Sequence, residues 1–408
     1  MSEHVTAMRL VSSTPAVRKQ RQIHWQALPL VAQHLRSLVN RKSITPNDAG
    51  CQPWLAERLS AIGFSCHRYV DNGVSNLVAY YDSPLERPLW AFAGHTDVVP
   101  PGDLKQWDSN PFCLRFDGEY LIGRGVADMK GGVAAMLSAL ELHHQVHGEL
   151  PGPMLFLITS DEEGEAEYGM QSITHFLRQQ NWLPEFVLVG EPTADNLSGD
   201  TIKVGRRGAV SAKLDVMGRQ GHVAYPRFAD NAIHKMGLVV SELNRICWDQ
   251  GSDDFPGTSL QITHIDSGDF TDNMIPARCA IHFNIRYSHL YDRNHLNDLV
   301  TAAVSKVCDR FELSWDRPCD PYMTQPKDNG EHCFLNLTEQ VISQITGKFP
   351  KLSTSGGTSD GRFLSALGAQ VIEMGACYRT IHQVNERLSL QDLNQLTAIY
   401  SGLLKTLR

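Results

Sequence analysis

Acidic residues and histidines stand where short apolar runs end. Residues 89–93 lead into Gly94-His95-Thr96-Asp97, residues 154–159 into Ser160-Asp161-Glu162-Glu163, residues 186–189 into Gly190-Glu191-Pro192, and residues 370–374 into a loop that carries His382. Each run has the length and composition of a buried strand, and open α/β sheets gather their ligands at the carboxyl ends of such strands. Asp128 adds a further carboxylate just before a predicted helix. Taken singly, each has a plainer use. Asp128 suits a helix N-cap, an isolated His95 or His382 suits a structural hydrogen bond, and Glu162-Glu163 suits a solvated turn. Together they bring two imidazoles and three carboxylates to one rim, the nitrogen and oxygen set that zinc favours, with one carboxylate able to bridge two ions. One carboxylate remains over. Zinc lowers the pKa of a bound water towards about 7, and a glutamate that holds no metal can take its proton as hydroxide attacks a carbonyl. Adjacent side chains diverge at a strand end, so one of Glu162 and Glu163 can ligate while its neighbour serves as base. Asp97, two residues beyond His95, can accept the second ring N–H and hold the tautomer.

The elements that must position these groups show two rhythms. Apolar residues at Leu28, Leu30, Val31, Leu35 and Val39 suit an amphipathic helix over residues 24–40, closed by the turn at 45–50. Strands over 77–81 and 89–93, a helix over 129–144, and strands over 154–159 and 186–189 follow, the alternation of an α/β sheet covered by helices. A different order begins near Arg207. A strand over 209–216, a helix over 231–248, strands over 259–265 and 280–287, a helix over 295–311 and a strand over 312–315 read as βαββαβ, the ferredoxin-like pattern. The α/β rhythm returns near Gly330 and ends in a strand over 370–374 and a helix over 390–407. The expected fold class is therefore α/β, with a helix-covered sheet over residues 24–207 and 321–408 and an inserted α+β domain over 208–320. Residues 1–23, basic and without periodicity, are expected to be a disordered leader.

Composition narrows the partners. The 408 residues are 42% hydrophobic and carry a formal net charge of -8 with no basic run, so they can bury a sizeable core but offer nucleic acid no footprint. A small molecule is the expected partner. The nine cysteines are odd in number and form no CxxC pair, which reads as free thiols in a reducing cytoplasm. No apolar run approaches the roughly 18 to 20 residues that span a bilayer, so no membrane partner is expected.

The stretches GHTDVVPPGD (94–103), GRGVADMKGG (123–132), TSDEEG (159–164), GEPT (190–193), KVGRRGAVSAKLDVMGRQGHVAYP (203–226), NMIPA (273–277), GGTSDGRF (356–363) and TIHQVNE (380–386) occur in one order. In that order the chain resembles the acetylornithine deacetylase and succinyl-diaminopimelate desuccinylase family of co-catalytic zinc hydrolases. The resemblance runs from about His24 to the C-terminus. It implies that His95 and Glu191 bind one zinc, that Glu163 and His382 bind the other, and that Asp128 bridges them. Glu162 would be the general base, and Asp97 keeps the supporting place beside His95 that its spacing suggests. His222 matches a histidine that reaches across a homodimer interface to polarise the scissile carbonyl, which makes the insert a dimerisation domain.

GHVAYP, the doubled Arg206-Arg207 and GGTSDGRF look like the desuccinylase branch, implying N-succinyl-LL-2,6-diaminopimelate as substrate and a place in lysine synthesis. Other N-acyl amino-acid deacylases, acetylornithine deacetylase among them, and dipeptidases share the zinc pair. A non-catalytic metal-binding dimerisation protein is the alternative from another class. The resemblance further implies substrate contacts at Arg206, Tyr225, Asn273, Arg286, Gly357 and Thr358, with the two arginines clamping carboxylates. Cobalt or manganese suits similar ligands. Tyr378 and Ala209 depart from the branch, which carries Asn and Ser there at positions that approach the substrate.

Overall fold

The computed structural model describes residues 24–85, 87–324 and 333–406. The leader expected over residues 1–23 lies outside them. The chain begins with α1 (Leu30–Val39) and α2 (Cys51–Ser60), followed by β1 (Ser65–Asp71), β2 (Val74–Tyr81) and β3 (Trp90–His95). Short β4 (Arg115–Phe116) and β5 (Tyr120–Ile122) precede α3 (Lys130–His147), β6 (Met154–Thr159), α4 (Met170–Gln180), β7 (Phe186–Val189), β8 (Thr201–Lys203) and β9 (Gly205–Arg206). Next come β10 (Gly208–Met217), β11 (Gly221–His222), α5 (Ala232–Leu243), β12 (Ser259–Asp266), β13 (Met274–Ile275), β14 (Arg278–Tyr287), α6 (Arg293–Ser305) and β15 (Phe311–Cys319). The return path is β16 (Tyr322–Met323), α7 (Phe334–Thr346), β17 (Lys351–Ser353), α8 (Gly361–Ser365), β18 (Gln370–Glu373), β19 (Arg387–Ser389) and α9 (Leu390–Thr406).

The larger sheet has the order β1-β2-β6-β3-β7-β18-β8-β17. Its four central strands β6, β3, β7 and β18 are mutually parallel, so their carboxyl ends share one rim. Residues of alternate parity along these strands enter two cores. Phe92, Phe156, Leu188 and Ile372 face α1, α3 and α9; Ala93, Leu157, Val189 and Val371 face α4 and α8. Burial on both faces explains why these strands read as unbroken apolar runs.

Residues 208–319 form a separate four-stranded antiparallel sheet in the order β12-β14-β10-β15. That is the strand order of a ferredoxin-like βαββαβ unit, with α5 and α6 packed on one face over Val210, Leu214, Phe283 and Ile285. The helix expected over 295–311 stops at Ser305, because Phe311 and its successors are drawn into β15 opposite Val216. Both chain crossings lie side by side, β9 pairing with β16 through Arg206 and Tyr322.

Candidate metal centre

The rim of the central strands holds the chemistry. His95 is the last residue of β3 and is fully buried. Its Nε2 has no hydrogen-bond partner among the described residues. That atom faces acids: Asp128 Oδ1 lies at 3.3 Å, Glu191 Oε1 at 3.4 Å and Glu162 Oε2 at 4.0 Å. The other oxygen of Asp128 lies 3.3 Å from His382 Nε2, which is 3.0 Å from Glu163 Oε1. Asp128 thus stands between two histidines, one carboxylate oxygen turned to each.

Small residues make this convergence possible. A Cβ on Gly94 would come within 2.5 Å of Met129 Cε, and one on Gly190 within 2.6 Å of the same atom. Met129 therefore packs beneath the ends of β3 and β7, and the start of α3 reaches the rim. Asp128 is not the helix cap that its position alone suggested: Met129 takes that place, and its side chain makes no capping hydrogen bond. Its carboxylate is free to face the imidazoles.

Asp97 acts differently from expectation. The nearest acceptor for His95 Nδ1 is the Asp97 backbone carbonyl, at 2.9 Å, with the carboxylate farther away at 3.6 Å. The carboxylate accepts the amides of Glu162 at 3.4 Å and Glu163 at 3.1 Å. One buried residue thus orients the ring on β3 and the acidic turn after β6.

Electrostatics show what the cluster lacks. Burial disfavours a charged His95, yet Asp128, Asp97 and Glu191 outweigh it and hold its pKa well above the imidazole range. Asp128 and Glu163 push His382 up to about 10. Burial, then the charge of Asp128, raises Glu191 to about 7, and burial with the charge of Glu191 raises Glu162 well above the carboxylate range. Against burial, the two histidines keep Asp128 below it. Histidines driven to protonate beside carboxylates driven to neutralise mark a place for extra positive charge. An orphaned imidazole nitrogen among carboxylate oxygens suits divalent cations, and the donor set is the nitrogen and oxygen set zinc takes. Among the described residues, His95, Glu162 and Glu191 form one group with ligand atoms within 4.8 Å of one another, and His95, Asp128 and Glu163 form a second.

The expected substrate contacts divide. Arg206 is buried and committed: Nε and Nη2 donate to Glu373, the former at 2.8 Å, and Nη1 donates to the Ser355 carbonyl at 3.1 Å. The guanidinium expected to clamp a substrate is an internal ion pair here, because Glu373, at the end of β18, lies opposite it in the core of the junction. Tyr322 and Ser359 also donate to Glu373. Arg286, on β14, is half-buried, and its guanidinium has no hydrogen-bond or ion-pair partner among the described residues. Desolvation first, then Arg207 and Arg362, lowers its pKa. Ala209 lies opposite it in the β10–β14 register. Gly357 is exposed and Thr358 half-buried on the loop after β17.

His222, Tyr225 and Asn273 gather on the exposed β11–β13 ribbon of the insert. His222 Nδ1 accepts the Ala224 amide at 3.1 Å, leaving Nε2 to carry the ring proton. Among the described residues, none of the three bonds to the metal cluster. Tyr378 donates its hydroxyl to Asp195. Two residues that the sequence reading passed over, Arg124 and Glu386, are buried beside the cluster. They lie inside the quoted stretches at 123–132 and 380–386, which was the available signal.

Residues 91–406 match the family model described as peptidase family M20/M25/M40. The chain is 52% identical over 376 residues to "Succinyl-diaminopimelate desuccinylase 2" of Shewanella loihica, covering 91% of this chain and 98% of that one. It is 48% identical over 371 residues to "Succinyl-diaminopimelate desuccinylase 1" of Alteromonas mediterranea, covering 91% and 94%. In fold it is similar to an M20 family metallo-carboxypeptidase of Sulfolobus solfataricus, with a TM-score of 0.75 at 14% identity over 93% of this chain and 99% of the other.

Proposed function

The chain belongs to peptidase family M20/M25/M40, and from that premise we propose that it hydrolyses N-succinyl-LL-2,6-diaminopimelate to succinate and LL-2,6-diaminopimelate in diaminopimelate and lysine synthesis. The names of its relatives supply the substrate. The observation that supports the chemistry is the buried, orphaned Nε2 of His95 among Asp128, Glu191 and Glu162. We assign His95 and Glu191 to one cation, Glu163 and His382 to the other, and Asp128 to both. Zinc is the proposed metal, with cobalt or manganese as substitutes.

Two divalent cations held by these residues would supply Lewis acidity to the amide carbonyl and acidity to an attacking water. Glu162 is the remaining carboxylate at the rim; it takes a proton from that water and delivers it to the leaving amine. Asp97 holds the backbone of Glu162 and Glu163 while its carbonyl fixes the His95 ring. Distance alone groups Glu162 with the ligands, and its separation from them as base rests on the family pattern.

Substrate carboxylate recognition is assigned to Arg286, since a half-buried guanidinium that feels the charges of Arg207 and Arg362 has no carboxylate partner among the described residues. Arg206 contributes by bracing Ser355, beside Gly357 and Thr358. His222 of a second copy, with Tyr225 and Asn273 from the same ribbon, completes the site by donating to the carbonyl oxygen. Exposed apolar residues on the insert, Val223, Phe228, Ile233, Leu238 and Ile265 among them, are in keeping with a homodimer formed through this domain. Nine free cysteines suit a cytoplasmic setting, and among the described residues no helix is long and apolar enough to cross a membrane.

The test is parallel steady-state hydrolysis of N-succinyl-LL-diaminopimelate, N-acetylornithine and a dipeptide by zinc-loaded protein, with and without chelator. Chelator-sensitive, strongly preferred release of succinate is expected. Preference for acetylornithine or the dipeptide would move the substrate assignment and keep the metal chemistry. Two bound metals with no activity on any of the three would refute the proposed substrate.

A further inference from the structure

We infer that Arg124 and Glu386 form a crossed brace that sets the separation of Asp128 from His382 and thereby secures the second cation. This rests on the two-cation reading above. Asp128 and His382 belong to different loops, and each loop sends a charged side chain into the backbone of the other. Glu386 Oε1 accepts the amides of Ala127 at 2.9 Å and Asp128 at 3.3 Å. Its Oε2 accepts the amide of Gly125 at 2.8 Å and Arg124 Nη1 at 2.9 Å. In return Arg124 donates to the carbonyls of Gln383 at 3.2 Å and His382 at 3.4 Å. Both residues are almost wholly buried, and neither offers an atom to the cluster, so they are positioning residues.

The loop they hold needs holding. His382 has φ +61° and Asn385 φ +57°, left-handed conformations uncommon outside glycine, which His and Asn adopt more readily than most residues. The two cation sites differ in this respect. His95 ends β3 and Glu191 follows β7, so sheet hydrogen bonds place that pair. His382 is placed by its loop alone, and its Nε2 must stay within reach of Asp128 and Glu163. A lesion in the brace should therefore weaken the second site more than the first, which shares only Asp128 with it.

The experiment is zinc titration of chelator-stripped, full-length wild type, Glu386→Gln and Arg124→Lys against a chromophoric competitor, with metal counted by elemental analysis. Glu386→Gln keeps the shape but turns an NH2 group towards donors; Arg124→Lys keeps the charge but not the fork. Wild type is expected to bind two zinc ions. Each variant should hold the first within about threefold of wild type and lose about 10- to 100-fold in affinity for the second, the usual scale for groups that orient a ligand. Turnover should fall with second-site occupancy and recover at high zinc while KM changes little, a rescue that general misfolding does not give. Thermal melts of the stripped proteins identify a variant that fails to fold, and the other then carries the test. Unchanged second-site affinity, or equal weakening at both sites, overturns the brace. Wild type binding fewer than two ions overturns the two-cation reading itself, and the brace with it.

Discussion

Replacing Asp97 with asparagine should separate the roles of its side chain from those of its backbone. The His95 Nδ1 contact is to the Asp97 carbonyl and survives the change. What changes is the carboxylate, which is fully buried and accepts the amides of Glu162 and Glu163 at 3.4 and 3.1 Å. An asparagine has one acceptor oxygen. Turning it to the shorter contact, on Glu163, points the NH2 group at the Glu162 amide, donor against donor. The loss is one hydrogen bond to a charged group plus an unsatisfied, partly buried amide, on the order of 2 to 3 kcal/mol. The metal-free protein should lose about that much stability in urea unfolding. If between half and all of this loss acts through the orientation of Glu162, kcat falls about 5- to 160-fold. Zinc affinity should drop by about tenfold through Glu163. The assays are urea melts of stripped protein and kcat at saturating zinc and substrate. A variant with wild-type stability and kcat within about threefold of wild type would show that Asp97 does not position the acidic turn.

Glu162→Gln should bind two zinc ions and lose about 100- to 10,000-fold in kcat, the range for a removed general base; retained hydrolysis would exclude it from that role. His222→Ala should lower turnover about 100-fold with metal content unchanged. Mixing it with Glu162→Gln under conditions of subunit exchange should restore activity, because one of the two sites in the mixed dimer then has both groups; a mixture that stays inactive counts against the cross-subunit histidine. For metal-free protein, His382 has a folded pKa of about 10 against an ordinary value of 6.5. A raised folded pKa gives stability that is complete below about pH 6.5 and is lost as pH climbs through about 10. Melting temperatures of stripped protein should therefore decline across that interval while apparent zinc affinity rises, since zinc must displace the His382 proton. A flat profile in both measurements would contradict the pairing of His382 with Asp128 and Glu163.

Much of the site was legible because His95, Glu163 and Glu191 sit at or just beyond strand ends, and strands are local features. Four apolar runs, each followed by a histidine or an acid, suffice to place β3, β6, β7 and β18, and hydrophobic periodicity needs no distant partner to be read. The ferredoxin-like insert was legible for the same reason: alternation along β10 and β14 reflects one face on α5 and α6 and one away from them. The expectations that changed were those whose outcome depends on a partner far along the chain. Asp128 has the local context of a helix cap, and only the approach of His95 and His382 turns it to another use. Arg206 has the side chain of a substrate clamp, but Glu373, 167 residues away, occupies it. The carboxylate of Asp97 finds its acceptor role 65 and 66 residues downstream, and Glu386 finds the Asp128 loop 258 to 262 residues upstream. Residue type and periodicity determine which groups can do chemistry and which elements carry them. Which oxygen meets which nitrogen was decided only when the parallel strands, packed on α3 and α9, brought separate loops to one rim, because a buried polar group takes the partner that burial leaves within hydrogen-bonding reach.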